Sequence, residues 1–168
     1  MTTLQKITPC LWFDREAEEA ARFYVSIFAD AAIETMAHYG KEGFEVHGKP
    51  AGSVLTVSFR LLGHSFVALN GGPHFKVNEA VSFIVECEDQ AEIDRYWAAL
   101  GEGGDAKAQQ CGWLKDKFGL SWQIVPRELP AMMSGPDGAK SERVMKALLQ
   151  MKKLDLAALR RAYEGAPS

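Results

Sequence analysis

Cysteine is scarce in this chain: Cys10, Cys87 and Cys111 are the only three. Their number is odd, their spacing is wide and no C-x-x-C pair occurs, which excludes a disulfide framework and a zinc knuckle and predicts reduced thiols. The four histidines, His38, His47, His64 and His74, lack the i, i+4 spacing of a helical metal motif. No apolar run approaches the roughly 20 residues that span a bilayer, and MTTLQKITP lacks the basic-then-apolar order of a signal peptide, so cytoplasmic residence is expected. A surplus of positive charge is missing too. With 19 Lys and Arg against 22 Asp and Glu the net charge is -3, which leaves no broad basic face for a nucleic acid or an anionic membrane. A small neutral or moderately polar ligand is the expected partner.

What is present suits a globular protein. The chain has 168 residues, 47% hydrophobic and 24% charged, enough for one well-buried domain or two small modules sharing a core. The most informative stretch is QCGWLKDKFGLSWQIVP, residues 110–126, which reads as two strands around a tight turn at Asp116, Lys117, Phe118 and Gly119. Period-two alternation puts Ser121, Gln123 and Val125 on one face of the second strand and Trp122 and Ile124 on the other. Lys115 and Asp116 read as an exposed pair at the tip, worth little energetically.

In chain order, residues 7–13 (ITPCLWF) form a strand near an edge, because Pro9 interrupts its ladder. Asp14 is placed to cap a helix whose stripe is Ala17, Ala20, Ala21, Tyr24, Ile27 and Phe28. Residues 31–39 form a strand; residues 40–52 carry too many breakers to be regular and read as a mobile lid. Residues 54–60 and 65–70 form a hairpin, and residues 74–79 connect to a second half. There, residues 81–87 are a strand, and Asp89 with Glu92 is a capping box for a helix carrying Ile93, Tyr96, Trp97 and Leu100. Residues 106–110 are a candidate strand before the 110–126 hairpin. Beyond a linker, Ser141 is placed to cap a helix with Val144, Ala147, Leu148 and Met151 on one stripe, and Asp155 another with Leu156, Leu159 and Tyr163. These stripes must be buried on the core or on a partner chain. The repeat predicts an α+β fold of two paired βαβββ modules, residues 1–73 and 74–127, plus a C-terminal helical tail, residues 128–168, with a shared cup between the modules.

The strings ITPCLWFD with EEAARFY, then NGGPHFKVNEAVSF, then CGWLKDKFGLSWQIVP resemble the PhnB-like branch of the vicinal oxygen chelate superfamily. That superfamily holds glyoxalase I, bleomycin-resistance proteins and extradiol dioxygenases, and the branch is often labelled demethylubiquinone methyltransferase-like. The likeness runs over residues 5–165, tail included. It implies the glyoxalase/bleomycin-resistance/dioxygenase fold and a homodimer. In metal-using members it also implies one divalent ion held by two ligands from each module, and those places fall at Thr8 (or Ile7), Val67, Ser82 and Gln123. Two hydroxyls and a valine are poor substitutes for histidines and carboxylates, so no metal is expected. S-adenosylmethionine asks for a glycine-rich turn that leaves a strand and opens a helix. Residues 101–104 instead follow a helix and residues 71–73 lead into a connector, so no cofactor is expected.

The residues expected to touch a ligand are Gln123, Ser82, Thr8, Cys10, Val67, Trp12 and Trp113; none is assigned a catalytic role. Gln123 leads, because an amide in an apolar setting can both donate and accept. The alternative for it is pairing with Ser82, Ser121 or backbone. Cys10 and Cys111 read equally as small core residues, while His38 and His47 flank the loop and could visit the cup. Three functions follow: a metal-free small-molecule binder, a metal-independent enzyme on a small hydrophobic or quinone-like molecule using Cys10 or a loop histidine, and a metal-dependent lyase or dioxygenase.

Overall fold

The computed structural model describes residues 5–166, and the chain divides into two compact units, Met1–Val77 and Asn78–Ser168. Among the described residues no helix is long and apolar enough to cross a membrane. The architecture is mixed α+β, as the repeat predicts, with one sheet of four strands and, where the repeat calls for four again, a second of three.

In the first unit, β1 (Cys10–Phe13), α1 (Ala17–Ile27), β2 (Ala32–His38), α2 (Phe44–His47), β3 (Val54–Leu61) and β4 (His64–Asn70) follow in order. The sheet order is β1-β4-β3-β2, with β1 parallel to β4 and the other pairs antiparallel. Helix α1 lays the predicted stripe against one face: Ala17, Ala20, Ala21, Tyr24 and Phe28 are buried, as are Leu11, Phe13, Val57, Phe59, Leu61, Phe66 and Ala68 of the strands. The Tyr24 ring stacks on Phe59 at 6.2 Å, and Phe59 on Phe66 at 5.4 Å. Each larger side chain buried in this way contributes about 1.5–3 kcal/mol.

Two local expectations change. Asp14 does not cap α1; the helix starts after Glu16, which makes no side-chain cap bond. The first free amide, Ala17 N, donates to Asn70 Oδ1 at 2.8 Å, from the end of β4, while Asp14 turns to Lys49 at 3.6 Å. Asn70 suits this role because its Nδ2 also donates to Val54 O at 3.0 Å, so a buried amide is satisfied at both ends. Residues 40–52 are likewise more ordered than their glycines suggest. Gly43 and Gly48, at φ 80° and 64°, bracket the single turn of α2. The neck is closed by Tyr39 N to Ser53 O and Gly52 N to Tyr39 O, both 2.8 Å.

The second unit contains β5 (Ser82–Cys87), α3 (Gln90–Gly101), β6 (Trp113–Lys115), β7 (Ser121–Pro126), α4 (Leu129–Ser134), α5 (Gly138–Leu148) and α6 (Leu156–Glu164). The sheet order is β5-β7-β6, with β5 parallel and β6 antiparallel to β7. Asp89 caps α3, its Oδ1 accepting from Glu92 N at 2.9 Å, and Ile93, Tyr96 and Leu100 are buried. Residues 106–110 do not form a regular strand. Ala106–Ala108 is a 3-10 turn capped by Asp105, and a single bridge, Gln110 to Trp113, is what remains of the ladder. Gly104 shows why this stretch is constrained: a Cβ there would lie 2.1 Å from Lys115 O, so it serves a close backbone approach.

The tail helices bury their stripes on their own unit. Val125, Met132, Val144, Leu154 and Leu159 form one core, with Leu148, Met151 and Tyr163 packed against it. Asp137, rather than Ser141, caps α5, accepting from Ala139 N at 3.1 Å, whereas Asp155 caps α6 as expected, accepting from Ala158 N at 2.8 Å. The linker into α6 is stitched down by Cys111 N to Met151 O and Gly112 N to Lys152 O, both 2.8 Å. Gln90 adds a two-point clamp, donating to Leu154 O at 3.1 Å and accepting from Leu156 N at 2.8 Å.

Candidate functional site

Each sheet has one face against its helix and one turned away, called here the far face. In the first unit alternation places Cys10 and Trp12 on the far face, because Leu11 and Phe13 are buried under α1. The register sets Cys10 beside Val67 and Trp12 beside Leu69. Three of the predicted ligand-contact residues, Cys10, Trp12 and Val67, therefore do share one surface. Thr8 does not join them: it precedes β1 and is exposed, since Pro9 delays the strand, and Ile7 is 86% exposed. Trp12 is fixed in place. Its Nε1 donates to Gly72 O at 2.8 Å, its ring meets Phe75 edge-on at 4.9 Å, and a Cβ on Gly71 would come within 2.1 Å of it. Burial raises the Cys10 thiol pKa, which disfavours the thiolate a nucleophile needs.

In the second unit the far face carries Ser82, Ile84 and Glu86 on β5, Ser121, Gln123 and Val125 on β7, and Trp113 and Lys115 on β6. Two cross-strand rows result: Ser82, Ser121 and Lys115, then Ile84, Gln123 and Trp113. Gln123 Nε2 donates to Ser82 Oγ at 2.9 Å, the pairing that the alternative reading of Gln123 anticipates. Its Oε1 accepts from no described residue. Ile84 beside it is 59% exposed, and Trp113 is half-buried. Val125, at the end of the same face, is covered by the tail core.

Asp116 overturns the expectation for the hairpin tip. It is buried; Oδ1 accepts from Phe118 N at 2.9 Å and Leu120 N at 3.0 Å, and Oδ2 from Trp122 Nε1 at 2.8 Å. Lys115 does not face Asp116 but ion-pairs with Glu79, and that hydrogen bond holds the Glu79 carboxyl below its ordinary pKa. Sequence reasoning also missed Ser121, whose buried Oγ has no hydrogen-bond partner among the described residues. His47 sits in α2 with its ring 4.5 Å from Tyr39, its Nδ1 accepting from Lys49 N at 2.9 Å. Cys87 lies on the helix side of β5, and burial, reinforced by Glu92, pushes its thiol up to about 12. Cys111 is half-buried at φ 52°, its sulfur 3.5 Å from Gln110 Nε2.

Neither cofactor that the resemblance raises fits these residues. Among the described residues no group of three His, Cys, Asp or Glu gathers to hold a metal ion, and of the four inherited places Thr8 lies off the sheet, Val67 has no donor and Ser82 and Gln123 bind each other. For S-adenosylmethionine, the strand-to-helix junctions before α1 and α3 are Asp14-Arg15-Glu16 and Glu88-Asp89, acidic and free of glycine, while the glycine-bearing one, residues 39–43, opens only the single turn of α2. Amides at the first two are already taken: Arg15 N by Glu16 and Ala17 N by Asn70 before α1, and Glu88 N by Glu92 and Glu92 N by Asp89 before α3.

Comparison with known proteins agrees on the scaffold. The PhnB protein of Bacillus cereus, described as a 3-demethylubiquinone-9 3-methyltransferase, is 32% identical with a TM-score of 0.60, the match covering 72% of this chain and 99% of that one. Protein PA1353 of Pseudomonas aeruginosa, 20% identical with a TM-score of 0.55 over 73% of this chain and 98% of that one, shares the fold. A comparison with curated proteins finds no match. The model of the 3-demethylubiquinone-9 3-methyltransferase family matches residues 5–125, so helices α4, α5 and α6 lie beyond it and the likeness stops short of the tail. With that span and that relative, the chain belongs to the 3-demethylubiquinone-9 3-methyltransferase family, in its PhnB type.

Proposed function

We propose that this protein binds a small organic molecule with an apolar body and one polar group on the far face of the second sheet. The observation that carries this is the Gln123 amide: it is oriented by its bond to Ser82, keeps Oε1 available, and stands between exposed Ile84 and half-buried Trp113. An oriented amide beside apolar and aromatic side chains fixes a planar ligand by one hydrogen bond plus contact area. The family name suggests methyl transfer to a quinol; the starts of α1 and α3 are acidic and already capped, which suits a methyl donor poorly, and binding is the reading these residues support. The superfamily placement, cytoplasmic residence and a homodimer belong to the same reading. The stripe Val144, Leu148, Met151 is spent inside the unit, so the apolar residues of this region that support association are Met145 and Leu149, 40% and 54% exposed.

The test is a calorimetric titration with benzamide, a planar neutral carbonyl compound, following the Gln123 side-chain amide by NMR. Binding that shifts this amide, and that weakens about five- to tenfold in Gln123→Ala and in Trp113→Ala, is expected. Benzamide binding that ignores both substitutions overturns the assignment. Light scattering that gives 18.5 kDa at all micromolar concentrations overturns the dimer.

A further inference from the structure

The row next to Gln123 contains an unusual combination. Ser121 is 1% exposed and its Oγ has no hydrogen-bond partner among the described residues, an unfavourable state for a buried hydroxyl. It stands in the middle of the sheet, with Ser82 as its register partner on β5 and Lys115 on β6. Lys115 ion-pairs with Glu79, three residues before β5 begins. Because β7 lies between β5 and β6, a bond from the approach to β5 to Lys115 of β6 spans the width of the sheet at the start of β7, the end where Ser121 stands. The bond is a strap of unequal ends: the Lys115 side chain is 24% exposed and that of Glu79 57%. Exposed ion pairs contribute little net stability, so the Glu79 end is easily exchanged for another oxygen anion, whereas the Lys115 end is anchored in the sheet.

Resting on the binding reading above, we infer that the ligand is a small planar acid, whose anionic oxygen takes the place of Glu79 on Lys115 and accepts the unused hydrogen of Ser121. Its apolar body then lies over the neighbouring row of Ile84 and Trp113, with Gln123 beside the junction of ring and acid group. The carboxylate of Glu79 acts as a stand-in that keeps the ammonium paired until a ligand arrives. In the same row Ser82 is already committed to Gln123, so Ser121 is the hydroxyl left for the ligand. Charge-assisted hydrogen bonds are roughly twice as strong as neutral ones, and this is the contribution a neutral ligand would forgo.

Benzoate and benzamide, nearly equal in shape but one anionic and the other neutral near neutral pH, separate this inference from the reading beneath it. Calorimetry should show benzoate about tenfold tighter than benzamide. Lys115→Met should bring the ratio to about one, and Glu79→Gln should tighten benzoate about threefold or more by removing the competitor, with little change for benzamide. Ser121→Ala should weaken benzoate about five- to tenfold while the protein melts at or above the wild-type temperature, since an unpartnered buried hydroxyl has been removed. Equal binding of the two probes, or a Glu79→Gln variant with unchanged benzoate affinity, overturns the acid preference and leaves the binding reading standing. Failure of both probes to shift the Gln123 amide overturns both.

Discussion

The two units solve one problem, how to end a strand and restart the chain, with polar side chains of opposite reach. In the first, the anchor is Asn70, which serves a helix start 53 residues earlier in the chain. In the second it is Asp116, whose three acceptor bonds all fall within the next six residues. Asn70 ties distant elements together; Asp116 builds its own turn. The first cysteine of each unit shows the same divergence. Cys10 opens β1 on the far face and is exposed, while Cys87 closes β5 on the helix side and is buried. A single step of strand alternation separates a thiol that meets reagents from one that does not.

The sharpest way to break this comparison is at Asp116. Asp116→Ala leaves two turn amides and the Trp122 indole without their acceptor in a buried place, and should cost about 3–5 kcal/mol in urea melts. A loss under about 1 kcal/mol would return the hairpin tip to the exposed reading. Asn70→Ala should cost less, about 2–3 kcal/mol, made of a lost helix cap and an unpaired Val54 carbonyl. Exchange of the Ala17 amide should quicken in that variant, and a protected Ala17 would show that α1 has another cap.

At neutral pH the smallest effect is at Cys87, because its contribution changes only in alkali. Its folded pKa is raised to about 12 from an ordinary value of 9.0. The unfolded chain therefore releases this proton first as pH rises, and the associated stability is whole below about pH 9. It should then fall progressively as pH rises toward about 12. Cys87→Ala should flatten that part of the profile. A thiol reagent should label Cys10 in the native protein and Cys87 only on unfolding; equal labelling would mean that the helix side of β5 is open.

Much of the fold was legible because its signals are local. Alternation in SWQIVP, the alanine stripe of α1 and the Asp89 and Asp155 caps each involve residues a turn or less apart, and the structure keeps them all. What sequence reasoning missed depends on distance or competition. Asn70 is too far from Ala17 for any window to connect them, and Asp137 sits four residues before Ser141, so two plausible caps competed for α5 and the earlier one starts the helix. At residues 106–110 no apolar alternation was there to support a strand. Of the candidate site, Gln123 and Ser82 were legible as neighbours on one face, because parallel register follows from the repeat. Ser121 was passed over since its interest lies in a missing partner, which no spacing of residues can reveal.

The tail also carries a consequence in time. Val125 is the last residue of the family-matched span, yet the core cluster it belongs to is complete only with Leu159, 34 residues later in synthesis. At ordinary elongation rates of about 5–20 residues per second, the first unit has all of its strands several seconds before the second can close its core. Through that interval the apolar end of the nascent second sheet waits for α4, α5 and α6, so these helices decide whether that sheet emerges covered or sticky.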